Sequence, residues 1–156
     1  MKNATAAALA ATLAATPLIA ENRPDAPALG PYGNLPVGVQ ERSFAVPGRI
    51  DILSVTDDVT PTYDRPLTVE IWYPAAEATR QGATYDTVIR DGQTATTLVG
   101  RAARDAAPAE GTFPLVVISH GYPGNRFLMA HLGENLASKG YVTVSIDHTD
   151  STYADK

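Results

Sequence analysis

The sequence predicts an α/β fold in which antiparallel strands lead into a parallel sheet. Three observations predict it. Residues 67–73 are rich in β-branched and aromatic side chains and stop at Pro74; Leu115, Val116, Val117 and Ile118 are apolar at every position; and an amphipathic stretch ending at Gly140 joins that run to a second β-branched run, 141–147. Strand, helix and strand with short joins make a right-handed parallel βαβ unit.

Residues 1–20 open with Lys2, continue through an uncharged alanine-rich run from Ala4 to Ala15, break at Thr16 and Pro17, and end on Ala20 before Glu21. That is the order of a secretory signal peptide, which implies a secreted or periplasmic protein. A membrane anchor and a plain Ala/Thr tail are the rival readings. The anchor suits the sequence less, because spanning needs about 20 predominantly apolar residues and Thr5, Thr12, Thr16 and Pro17 interrupt this stretch. Residues 21–38 are rich in proline and glycine and poor in large apolar side chains, so they read as an extended leader. The folded domain is expected over 39–156.

Within it, 39–46 reads as a strand bounded by Gly38 and by Pro47-Gly48, and 49–55 reads as the strand after that turn. Asp57, Asp58, Pro61 and Asp64-Arg65-Pro66 mark a loop. In 67–73, Leu67, Val69, Ile71 and Tyr73 share one face and Thr68, Glu70 and Trp72 the other, a half-polar pattern suited to an antiparallel strand near a sheet edge. Residues 75–112 mix short polar runs with an Ala/Arg stretch over 98–107 that has the composition of a short helix. Residues 114–119 form the run expected to be buried on both faces. A helix is expected over 127–139, with Leu128, Leu132 and Leu136 on one face and Glu134, Asn135, Ser138 and Lys139 pointing away. Gly140 is its expected stop, because glycine takes the left-handed conformation most cheaply.

Composition bounds the function. The 156 residues suit one domain, and 44% apolar with 19% charged residues excludes disorder of the whole. Twelve Lys+Arg against 17 Asp+Glu give a net charge of -5, with no basic cluster for nucleic acid or for an anionic membrane surface. No cysteine is present, which excludes disulfides, thiolate metal sites and cysteine nucleophiles. The three histidines, His120, His131 and His148, lack the spacing of a metal motif.

Ligands of open parallel sheets bind beyond the carboxyl ends of the strands. Two segments reach that rim: Ser119 to Arg126, which holds the turn His120, Gly121, Tyr122, Pro123, Gly124, Asn125 and Arg126, and the segment from Asp147 to Asp150. Glycine allows a tight backbone turn, and amides near a helix start remain free to donate. The turn is therefore either half of an oxyanion hole or simply a tight βα connection.

Phe113 through Gly121, then Asn125-Arg126, then Leu136 through Val142, then Asp147-His148, resemble the α/β-hydrolase fold, and more narrowly the plasma-type platelet-activating-factor acetylhydrolases and their bacterial esterase relatives. Residues 65–75 resemble the early strand of that family. The resemblance covers about 36–156 and implies the amino-terminal part of an α/β-hydrolase domain. It implies a serine esterase acting on short-chain carboxylic esters, acetylated phospholipids and polyesters among the candidates, with no cofactor. The family's oxyanion donor matches the backbone N–H of Tyr122; His120, Gly121 and Gly124 shape the loop; Asp147 and His148 brace the rim. Where the family commonly has a small residue after that donor, this chain has Pro123.

The nucleophile elbow G-x-S-x-G occurs nowhere in the chain. In this fold serine, acid and histidine follow the strand that ends at Asp147, so the resemblance implies one oxyanion donor and none of the triad. A triad built from Ser119, His148 and Asp150 at the same rim is the in-chain alternative. A small exported binding or structural module, using the same unit as scaffold, is the non-catalytic alternative. The expected partners are a small ester or lipid substrate and a missing carboxy-terminal half, with neither nucleic acid nor an integral membrane.

Overall fold

A computed structural model describes residues 30–77 and 82–155. The expected signal peptide and the first half of the expected leader, 21–29, lie outside the described residues. The described elements are β1 (Val37–Ile50), β2 (Thr62–Pro74), β3 (Thr84–Val88), β4 (Ala95–Val99), β5 (Ala103–Arg104), β6 (Leu115–Ser119), α1 (Ala130–Ala137) and β7 (Val142–Asp147).

Five strands form one mixed sheet in the order β5-β1-β2-β7-β6. β2 runs antiparallel to β1 and to β7, while β6 and β7 pair in parallel with Leu115 opposite Val142 and Ser119 opposite Ile146. The antiparallel strands and the parallel unit thus join through the β2–β7 ladder. β3 and β4 make a separate antiparallel hairpin.

Several elements depart from the sequence expectations, each for a local reason. β1 is one strand rather than two, because Pro47 and Gly48 are absorbed as a bulge between the pairs Val46–Arg65 and Arg49–Tyr63. Gly48 takes φ +65 there and donates its N–H to Asp64 Oδ1 at 3.2 Å. β2 begins at Thr62, so Asp64, Arg65 and Pro66 lie in the strand rather than in a loop. Pro66 is tolerated because the β7 ladder starts only at Thr68, leaving one side of Pro66 unpaired. β2 is also central rather than near the edge, and both Glu70 and Trp72 on its half-polar face are fully buried.

No helix forms over 98–107. Leu98 and Val99 belong to β4, and the N–H groups of Arg101 and Ala102 are taken up by the Glu134 carboxylate, so they cannot feed a helical ladder. β6 is not buried on both faces: it ends the sheet, and Leu115 and Val117 are 62% and 57% exposed.

The helix is shorter than expected and turned over. α1 starts at Ala130, and it buries Ala130, Gly133, Glu134 and Ala137, while Leu128 and Leu132 are exposed. Small residues win the sheet-facing side because the helix lies directly on Trp72; a Cβ at Gly133 would stand 2.4 Å from Trp72 Cε3. Gly140 closes the helix with φ +93, as the sequence predicts. Around Trp72 the core gathers Val37, Val39, Ala83, Tyr85, Ala102 and Phe127.

A buried polar chain runs through this core. Trp72 Nε1–H donates to Tyr85 Oη at 2.9 Å, and Tyr85 O–H donates to Glu134 Oε1 at 2.6 Å. Burial and the neighbouring Glu134 carboxylate push the Tyr85 phenol far above its ordinary pKa, so it stays a donor. These contacts lock α1 and the β3–β4 hairpin onto β2.

Candidate functional site

β6 and β7 end side by side, and each feeds a turn at the same rim. β6 passes directly into the loop from His120 to Arg126, and β7 passes into His148, Thr149 and Asp150. The loop is held at both ends. At its start, the His120 ring is buried; His120 Nδ1 lies 2.7 Å from Gly121 O, and the His148 backbone N–H donates to His120 Nε2 at 3.2 Å. The two rings meet edge to face at 4.8 Å. Ser119 Oγ lies 2.7 Å from His148 Nε2, which fixes the second ring in turn.

In the middle of the loop, Gly124 bridges to Thr152, accepting the Tyr153 N–H at 2.8 Å and donating its own N–H to Ser151 O at 3.3 Å. A side chain at 124 would not fit, because its Cβ would stand 2.7 Å from His120 Nδ1. Gly121 faces open space instead. Between them, the Tyr122 side chain is 77% exposed, and the bond to Pro123 is cis. The Tyr122 N–H donates to no group among the described residues.

At the loop's far end Arg126 is tied to the sheet. Its backbone N–H donates to Asp147 Oδ1 at 2.6 Å, and its guanidinium hydrogen-bonds Asp147 Oδ2 as well. The same guanidinium reaches Glu41 on β1 at 2.6 Å and Glu70 on β2 at 3.5 Å. Arg104 on β5 pairs with Glu70 from the other side. Burial nevertheless holds the Glu70 carboxyl above its ordinary pKa, outweighing the pull of Arg104 and Arg126. Such a network resists rearrangement, since breaking one buried pair leaves a charge uncompensated. Asn125 adds a contact to the hairpin, donating to Thr87 Oγ1 at 2.8 Å. A cavity of about 230 Å³ opens beside the loop, lined by Asp86, Asn125, Arg126, Asp147 and Tyr153 among others.

The structure therefore brings His120, Gly121, Tyr122, Gly124, Asp147 and His148 to one rim. Ser119 meets His148 there, but Asp150 turns to Arg65 at 3.9 Å with φ +68, so Asp150 does not complete a Ser119–His148 relay. His131 sits exposed on α1. Among the described residues no group of three His, Asp or Glu side chains is arranged to hold a metal ion.

One part of the site escapes sequence reasoning. The Arg126–Glu41–Glu70–Arg104 network joins residues far apart in the chain, and its one sequence signal is a lone Glu70 within a β-branched strand. The Ser119–His148 contact, by contrast, is the pair named in the in-chain triad alternative, and it depends on the parallel register, which places Ser119 opposite Ile146.

Comparison with known proteins gives the chain its relatives. Residues 52–155 match the family described as platelet-activating factor acetylhydrolase, isoform II. Among solved structures, a ferulic acid esterase from Streptomyces cinnamoneus matches with a TM-score of 0.59 and 26% identity, over 82% of this chain and 36% of that one. The chain thus spans little more than a third of the length of that esterase. No curated protein matches the chain. No helix among the described residues is long and apolar enough to cross a membrane. The mixed sheet matches part of an α/β-hydrolase sheet, and the chain belongs to the platelet-activating factor acetylhydrolase, isoform II, family of carboxylic-ester-hydrolase relatives.

Proposed function

We propose that this chain is the amino-terminal part of an exported serine hydrolase of short-chain carboxylic esters, and that it supplies one donor of the oxyanion hole. The observation that carries this reading is the unpaired Tyr122 N–H on a loop anchored at both ends, at the carboxyl rim of the parallel strands. A donor aimed in advance at developing negative charge needs no reorganisation during the reaction. Loss of such a donor costs about 10²–10³ in kcat.

In this mechanism a serine outside the chain attacks the ester carbonyl while a histidine takes its proton. The carbonyl oxygen becomes an oxyanion held by the Tyr122 N–H and by the amide after the serine. Collapse expels the alcohol, which receives the proton from histidine, and leaves an acyl-serine. Water then attacks the acyl group by the same steps in reverse order, releasing the carboxylic acid. No cofactor enters. His120, Gly121 and Gly124 shape the loop, and Asp147 and His148 brace it. Residues 1–20 direct export to the periplasm or beyond.

A fluorophosphonate that traps activated serines tests where the nucleophile lies. The polypeptide from the complete reading frame is expected to be labelled on the serine of a G-x-S-x-G elbow, and the 156-residue chain is expected to remain unlabelled. Labelling of the short chain at Ser119 would overturn the reading and make Ser119–His148 the catalytic pair.

A further inference from the structure

We infer that His120 is a positioning residue for the Tyr122 amide, held in one tautomer by the backbone of His148. Its catalytic consequence depends on the oxyanion role proposed above; the hydrogen-bond relay does not.

The tautomer follows from which partners can donate. The His148 backbone N–H can only donate, and it points at His120 Nε2 at 3.2 Å, so Nε2 presents its lone pair. The Gly121 carbonyl oxygen can only accept, and it lies 2.7 Å from His120 Nδ1, so Nδ1 carries the proton. One neutral tautomer satisfies both bonds. The other satisfies neither, and the imidazolium form satisfies only the second.

The carbonyl that His120 grips belongs to the same planar peptide unit as the Tyr122 N–H. In a trans unit C=O and N–H point in opposite directions, so holding the oxygen against the ring aims the N–H away from it. Hydrogen bonding at the oxygen also polarises the unit and strengthens the N–H as a donor. The relay therefore runs from His148 N–H, through the His120 ring, to the Gly121–Tyr122 peptide.

Gly124 is the second observation. A Cβ at that position would stand 2.7 Å from His120 Nδ1 and 2.9 Å from Gly121 O, so it would intrude on the Nδ1–H···O bond itself. The glycine is required by the close approach of the loop to this bond. Ser119, 2.7 Å from His148 Nε2, keeps the second ring edge-on against the first.

The test is nuclear magnetic resonance of the protein expressed from its complete reading frame, with short-chain ester hydrolysis as a parallel readout. Long-range proton–nitrogen spectra are expected to show His120 protonated on Nδ1, with scalar coupling from Nδ1 to the Gly121 carbonyl carbon. His120→Phe should abolish the coupling and move the Tyr122 amide nitrogen resonance. His120→Asn, whose Nδ2 can take the place of Nδ1, should move it back. In the ester assay His120→Phe should lower kcat at least about tenfold with KM little changed, short of the 10²–10³ lost with an oxyanion donor outright. If His120→Phe fails to fold, Gly124→Ala, which keeps the ring, should shift the same Tyr122 resonance. An Nε2-protonated His120, or a Tyr122 resonance unmoved by both changes, overturns the relay. The expected tautomer and resonance shifts with kcat unchanged would support the relay and remove Tyr122 from the oxyanion hole.

Discussion

Glu134 shows how one residue can be misjudged by its charge. Counted from the sequence it faces solvent, yet it is 2% exposed and accepts N–H bonds from Arg101 and Ala102 at 2.9 and 3.1 Å as well as the Tyr85 hydroxyl. Its carboxylate replaces water for donors that have no other partner among the described residues. Glu134→Ala should therefore destabilise the fold by about 1–3 kcal/mol for each buried donor left unpaired. Urea unfolding measures this, and a total loss below about 0.5 kcal/mol, the range of an ordinary surface change, would contradict it. Glu70 makes a pH prediction at the same scale. Its carboxyl is raised above 4.5 by burial, so the folded state holds that proton more tightly than the unfolded one. Its contribution to stability is full below pH 4.5 and is lost as pH rises through the raised folded value. Glu70→Gln should remove this downward slope over that window; an unchanged slope would show that burial does not control the group.

At the scale of elements, α1 packs by its small residues. The leucine stripe gives the helix its period, but Gly133 and the alanines decide its face, because only they let the backbone approach Trp72. Gly133→Val should force the helix off the ring and cost about 1–3 kcal/mol, whereas Leu132→Gln on the exposed side of α1 should stay within about 0.5 kcal/mol. Thermal unfolding of the two variants distinguishes them, and the opposite ranking would restore the leucine face. This element also marks what was legible in the sequence. β6, β7 and the stop at Gly140 were readable, since β-branched runs and a left-handed glycine are local signals. The helix face, the bulge at Pro47-Gly48 and the β3–β4 hairpin were not, because each is settled by partners distant in the chain: Trp72, Asp64 and Glu134. Likewise the His120–Tyr122 loop stood out as a His-Gly turn after a strand. The Arg126 network that anchors it did not.

For the whole molecule, the sheet ends where the account needs it to continue. β6 is the last strand of the order β5-β1-β2-β7-β6, and Leu115 and Val117 stand exposed on it. An open apolar edge invites pairing with another chain. The 156-residue chain alone should self-associate in a concentration-dependent way, and the polypeptide from the full frame should not, as read by sedimentation. A monodisperse short chain with a single cooperative unfolding transition would favour a self-sufficient binding module. The most direct measurement is the coding sequence for about 200 codons beyond Lys156, enough to complete one domain of this size. The account predicts an open frame that encodes G-x-S-x-G, then Asp, then His. A stop codon after Lys156 would contradict it, leaving the His120–Arg126 loop without the elbow serine that the account requires.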